Sequence, residues 1–92
     1  MPFRLRISKE VQREITGLPG NMRKHVRRVI AELAHNPRPP AAKPMADDLA
    51  NYYRIRIDAY RIIYTIDDDV VLVEIIRVAG RTPRTYTDLS LP

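Results

Sequence analysis

The chain has no cysteine, no tryptophan, one phenylalanine and only 3 glycines among 92 residues. Without cysteine, disulfides, thiolate metal sites and thiol nucleophiles are all excluded. No apolar run approaches the length that spans a bilayer. The N-terminus reads as an amphipathic strand and a charged segment, and nothing in it resembles a signal peptide. The expectation is a cytoplasmic protein with no membrane partner. The length leaves room for one domain, residues 1–92, and none for a second. An active site in so small a chain is a surface cleft, since no deep pocket between domains is available. No set of residues converges on a metal or a cofactor. His25 and His35 read as surface histidines, and Asp67-Asp68-Asp69 reads as a solvated hairpin turn.

Charge of one sign is in excess. The 16 Lys and Arg outweigh 11 Asp and Glu, for a net +5, and 13 of the cations are arginines. The surplus is concentrated in the first half, where residues 1–46 carry ten cations against three anions. That balance points to a polyanionic or acidic partner, and the choice of arginine suits planar, bidentate phosphate recognition.

The pattern of apolar residues divides the chain into strand, helix pair and strands. Phe3, Leu5 and Ile7 alternate with Arg4 and Arg6 as in a half-buried strand. Ser8 is placed to cap a helix with Glu10 in its first turn and Val11, Ile15 and Leu18 as its apolar stripe. Gly17, Pro19 and Gly20 stop it, and Asn21 is placed to cap a second helix. The second stripe is Met22, Val26, Val29, Ile30 and Leu33, with Arg23, Lys24, Arg27 and Arg28 largely outside it. Pro37 ends that helix, and the following segment, with Pro39, Pro40 and Pro44, reads as stiff and irregular. From Tyr52 the period becomes that of a strand, with Tyr60 to Ile66 and Val70 to Val78 following after short connections. The prediction is an α+β domain: an N-terminal strand, an antiparallel helix hairpin, then a three-stranded antiparallel meander that the first strand must join.

Register places the chemistry. With Asp58 and Ala59 as the loop, Ile57 faces Tyr60, Arg56 faces Arg61 and Arg54 faces Ile63. Tyr53, Ile55, Ile57, Tyr60, Ile62, Tyr64 and Ile66 then form the face that packs on the helices, and Arg54, Arg56 and Arg61 share the other. Like charges directly opposed destabilise a sheet, so three clustered guanidiniums suggest a site for an anion. Simple alternation keeps Arg77 in phase with Val71, Val73 and Ile75, and puts Glu74 on the core side with Ile62. Arg81, Arg84 and Tyr86 follow on a short tail at the margin of the arginine face. Tyr52 and Tyr86 are the tyrosines suited to stack on a base, and Arg23, Lys24, Arg27 and Arg28 read equally as a patch for electrostatic contact with a polyanion or as a solvated helix face.

The runs Tyr53-Arg54-Ile55-Arg56-Ile57, Tyr60-Arg61-Ile62-Ile63-Tyr64 and Val70-Val71-Leu72-Val73, followed by Gly80-Arg81 and Tyr86, resemble the RelE/ParE superfamily of toxin–antitoxin toxins. The resemblance runs from Phe3 to about Tyr86. In its RelE-like branch it implies a ribosome-dependent endoribonuclease that cuts mRNA by 2′-hydroxyl attack on the scissile phosphate, without metal or cofactor. The residues that match that branch's catalytic set are Arg54, Arg56, Arg61, Arg81 and Tyr86. Arg61 and Arg81 would grip the phosphate, Arg54 and Arg56 would bind the flanking backbone or assist proton transfer, and Tyr86 would stack on a base, orient the 2′-hydroxyl or act as acid–base. Arg77, Arg84, Tyr52, Arg23, Lys24 and Arg27 would add RNA contacts. The implied partners are a cognate small, RelB-like antitoxin, the ribosome and mRNA. The ParE-like branch implies instead a toxin that inhibits DNA gyrase by binding, with no RNA cleavage.

Overall fold

The computed structural model of the chain describes residues 2–45 and 51–80. β1 (Arg4–Ile7) leads into α1 (Lys9–Thr16), where the Ser8 hydroxyl accepts the Val11 N–H at 3.2 Å and Glu10 sits in the first turn. That cap satisfies one of the four amides a helix start leaves unpaired. α2 (Gly20–Leu33) follows after Pro19, which occupies the N-cap position without a side-chain cap. Asn21 therefore lies two residues past the cap position, and its Oδ1 accepts from the Met22 amide at 2.9 Å instead. α2 ends at Leu33, and the His35 and Asn36 amides both reach the Glu32 carbonyl at 3.0 Å.

The proline-rich segment holds an element that alternation did not reveal. β2 (Lys43–Pro44) pairs antiparallel with β3 (Tyr52–Ile57), Lys43 opposite Arg54 and Pro44 opposite Tyr53. Pro44 has no N–H to donate, which an outermost strand tolerates. β3, β4 (Tyr60–Asp67) and β5 (Leu72–Gly80) form the expected meander, and β1 joins it parallel to β5. The sheet order is β1-β5-β4-β3-β2. The result is an α+β domain with a five-stranded mixed sheet rather than three strands and one addition.

β5 starts two residues later than alternation predicts. The Asp67 carboxylate accepts the Asp69 and Val70 amides at 3.0 and 3.2 Å, which extends the turn, and Val71 adopts a left-handed φ of 58°. In that turn the Val71 carbonyl takes the Arg4 amide at 2.9 Å, tying β1 to β5.

Both helices and one sheet face share a single core. Val11, Ile15 and Leu18 of the first helical stripe meet Val26, Ile30 and Leu33 of the second and Ile55, Ile57, Ile62, Tyr64, Ile66, Val73, Ile75 and Val78 of the sheet. Tyr53 and Tyr60 pack at its margin, as their phase requires. The Tyr64 hydroxyl is buried and donates to the Pro37 carbonyl at 2.8 Å, which anchors the segment after α2. Arg38 fastens the same segment from outside. It donates to both Asp68 carboxylate oxygens at 2.8 and 3.2 Å and to the Tyr53 hydroxyl at 3.2 Å. Among the described residues no helix is long and apolar enough to cross a membrane.

Candidate nucleic-acid interface

The β3–β4 hairpin turns on Asp58 and Ala59, and its register brings the central cations together. Arg56 lies opposite Arg61, and Arg54 opposite Ile63. Asp58 accepts a left-handed φ of 53° at the turn, a conformation aspartate tolerates better than most residues. Since residues two apart and residues directly paired share a face, Arg54, Arg56 and Arg61 all stand on the side away from the helices. Arg56 is exposed, and Arg54 and Arg61 are half-buried.

Register adds neighbours that alternation alone could not supply. Lys43 sits opposite Arg54 at the outer edge, and Arg77 sits opposite Ile63 on β5. Ile63 thus lies between Arg54 and Arg77, and it is 6% exposed although it belongs to no part of the helix-facing core. Arg4 and Arg6 extend the same face through β1, where Arg6 is paired with Glu74. Tyr52 joins it opposite Thr65.

Arg77 and Glu74 are placed differently from the simple alternation. A bulge interrupts the β4–β5 ladder between Ile63 and Tyr64, so that Tyr64 meets Ile75 while Ile63 meets Arg77. One residue, Ile76, is extra. The extended turn before β5 directs Val73 and Ile75 into the core, and the bulge beyond them returns Arg77 to the arginine side, so Arg77 does not share their face. Glu74 pairs with Thr65 and lies on the arginine side, not on the core side with Ile62.

Electrostatic partners divide the cations further. The Glu14 carboxylate accepts from Arg77 Nε at 2.9 Å and from the Val78 amide at 2.8 Å. Arg77 is thus held by the protein's own acid. The Arg38 guanidinium, bonded first to Asp68 and then to Tyr53, is pushed well above the usual arginine range, and it holds the Asp68 carboxyl below the usual carboxylate range. Arg54 differs: its Nε is buried and has no hydrogen-bond partner. A cleft of about 500 Å³ opens beside it, lined by Ala41, Lys43, Pro44, Arg54 and Arg56.

The remaining cations named from the sequence lie elsewhere. Arg23, Lys24 and Arg27 are on α2, whose apolar residues pack on the opposite side of the sheet, so they form a separate basic surface. Arg81, Arg84 and Tyr86 lie outside the described residues. His25 and His35 are exposed, as expected. Among the described residues no group of three or more His, Cys, Asp or Glu is arranged to hold a metal ion. Lys43, Arg4 and Arg6 escaped the sequence reading. The alternation of Arg4 and Arg6 with Leu5 and Ile7 did carry a signal, whereas Lys43 stands in a proline-rich segment with no period to read.

The described residues form a small α+β domain with helices on one side of its sheet and a cationic surface on the other. The sequence model of the ParE toxin of type II toxin–antitoxin systems, parDE, matches residues 5–82. The chain belongs to this family of type II toxin–antitoxin toxins, within the RelE/ParE superfamily. It is 33% identical over 82 residues to the Toxin RelE of Mycobacterium tuberculosis, covering 88% of this chain and 84% of that protein. It also resembles a chain in the crystal structure of the M. tuberculosis toxin–antitoxin complex RelBE2, at a TM-score of 0.76 and 29% identity, covering 88% of this chain and 100% of that one. A chain of the intact E. coli RelBE toxin–antitoxin complex matches at a TM-score of 0.72 and 25% identity, covering 89% of this chain and 99% of that one.

Proposed function

We propose that this toxin is a metal-independent endoribonuclease that cleaves mRNA on the ribosome. The observation that carries the reading is the direct opposition of Arg56 and Arg61, with Arg54 two residues along on the same side of the sheet. Guanidiniums gathered on one side of a sheet offer a phosphodiester several charge-assisted, bidentate donors at once.

In the cleavage step the ribose 2′-oxygen attacks the neighbouring phosphorus, the bond from phosphorus to the 5′-oxygen breaks, and a 2′,3′-cyclic phosphate forms. The 2′-hydroxyl gives up its proton and the departing 5′-oxygen gains one. Guanidiniums are donors without an acceptor site, so they stabilise charge and do not take the proton. Arg61, with Arg81, would hold the non-bridging oxygens as negative charge builds. Arg54 and Arg56 would bind the flanking backbone, and proton transfer would fall to Tyr86. Removal of one preorganised donor of this kind lowers the rate by about 10²–10³. A small RelB-like antitoxin that covers the arginine side of the sheet would silence the site.

The match to the ParE family model favours a second reading, inhibition of DNA gyrase by binding. One pair of assays decides. Purified protein is added to a translating extract and, separately, to a gyrase supercoiling reaction. Cleaved message with normal supercoiling supports the nuclease, and the opposite pattern supports the gyrase inhibitor. Arg61→Ala should abolish message cleavage and growth arrest, and a fully toxic Arg61→Ala variant would overturn the arginine site.

A further inference from the structure

Lys43 stands opposite Arg54 on the outermost strand and lines the same cleft of about 500 Å³ as Arg54 and Arg56. None of the five residues lining that cleft is acidic. This separates it from the cations already held by carboxylates, Arg77 by Glu14 and Arg38 by Asp68. Ala41 and Pro44 give the cleft apolar walls, which strengthen any charge interaction made inside it. Arg54 Nε is buried there without a partner. That one N–H is withdrawn from water and left unsatisfied while the rest of the half-buried guanidinium stays accessible, and an anion is the acceptor that suits both.

We propose that Lys43, Arg54 and Arg56 form a second phosphate subsite, which takes the backbone phosphate next to the one at Arg61 in single-stranded RNA. The proposal rests on the reading of the arginine face as an RNA site. β2 and β4 are two strands apart, about 10 Å, so Lys43 and Arg61 meet different phosphates of one strand. Lys43 is a binding residue here, and its role is to fix the strand's register across the sheet.

The test measures Kd for two 2′-O-methylated, uncleavable probes, octauridylate and the dinucleotide UpU, between 50 and 200 mM KCl (about the range over which phosphate contacts dominate). For octauridylate, Lys43→Gln should weaken binding severalfold and reduce the slope of log K against log[KCl] by about 0.7, the share of one phosphate contact on a single strand. Lys43→Arg should preserve both. UpU, with a single phosphate, should bind Lys43→Gln as it binds the unaltered protein, whereas Arg61→Gln should weaken both probes. Lys43 is exposed on a two-residue strand, and superposable thermal melts of the two Lys43 variants establish that the fold is intact. An unchanged octauridylate slope in Lys43→Gln, with Arg61→Gln impaired, would overturn the second subsite alone. Failure of the unaltered protein to bind octauridylate, or indifference of both probes to Arg61→Gln, would overturn the arginine face as an RNA site.

Discussion

Glu14, on the first helix, closes the outer edge of β5 by accepting the Val78 amide at 2.8 Å and Arg77 Nε at 2.9 Å. β1 pairs with β5 only as far as Ile75, so the edge beyond it would otherwise present an unsatisfied amide. Glu14→Ala should cost about 2 kcal/mol, since it strands both a backbone donor and a guanidinium. The thermal midpoint should fall by roughly 10 °C in a domain of this size. Arg77→Ala should cost under about 1 kcal/mol, because the pair is partly exposed and the amide keeps its acceptor. Equal losses in the two variants would place the stabilisation in the ion pair and not in the edge.

Arg56, opposite Arg61, should matter to activity and little to stability. Arg56 is exposed, so Arg56→Gln should change stability by less than about 0.5 kcal/mol. The same variant should lower RNA cleavage by about tenfold or more. Thermal melting and message cleavage measured on one preparation check both halves.

Tyr64 should give the fold an alkaline limit. Burial first and the neighbouring Tyr53 second push its phenol up to about 12, against a partial downward pull from Arg38. An unfolded tyrosine ionises near pH 10, so the stabilisation is complete below about pH 10 and is lost as pH rises through about 12. The two-unit gap is worth about 3 kcal/mol at most. Tyr64→Phe should lose about 1 kcal/mol at neutral pH with the Pro37 hydrogen bond. Its urea midpoint should then decline less steeply than the unaltered protein's between pH 10 and 12.

Val71 holds a φ of 58°, which a β-branched side chain adopts only under strain, and it is 37% exposed. Val71→Asn should relieve about 1 kcal/mol and raise the thermal midpoint, because asparagine tolerates that conformation. Val70→Asn is the control. Val70 is also exposed but is not at a positive φ, so that substitution should change stability by less than about 0.5 kcal/mol.

The helices, the meander and the arginine pairing were legible because each rests on a period or on a short loop. Val11, Ile15 and Leu18 repeat at helical spacing, and the two-residue turn at Asp58-Ala59 locks Arg56 against Arg61. The misses share the opposite cause. Lys43 and Pro44 form a strand too short to show alternation, so the edge partner of Arg54 went unread. Asn21 has the right chemistry for a cap, but Pro19 starts the helix ahead of it. Asp68 is one of three consecutive acids with no local cue that Arg38, 30 residues earlier, binds it. Glu74, Val73 and Ile75 were misplaced because the turn extended by Asp67 shifts β5 by an odd number of residues against β4, whereas Arg77 keeps the arginine side because the residue inserted at Ile76 shifts the ladder back.

That inserted residue has a further consequence for the history of the strand. In pairing terms Ile76 is surplus: a chain one residue shorter there would still direct Ile75 and Val78 inward and Arg77 outward. A bulge coils the strand more tightly than a regular ladder does. The shortened version would run straighter and carry Val78 away from Glu14. Its cost would fall on the join between helix and sheet, and the inner packing would be spared.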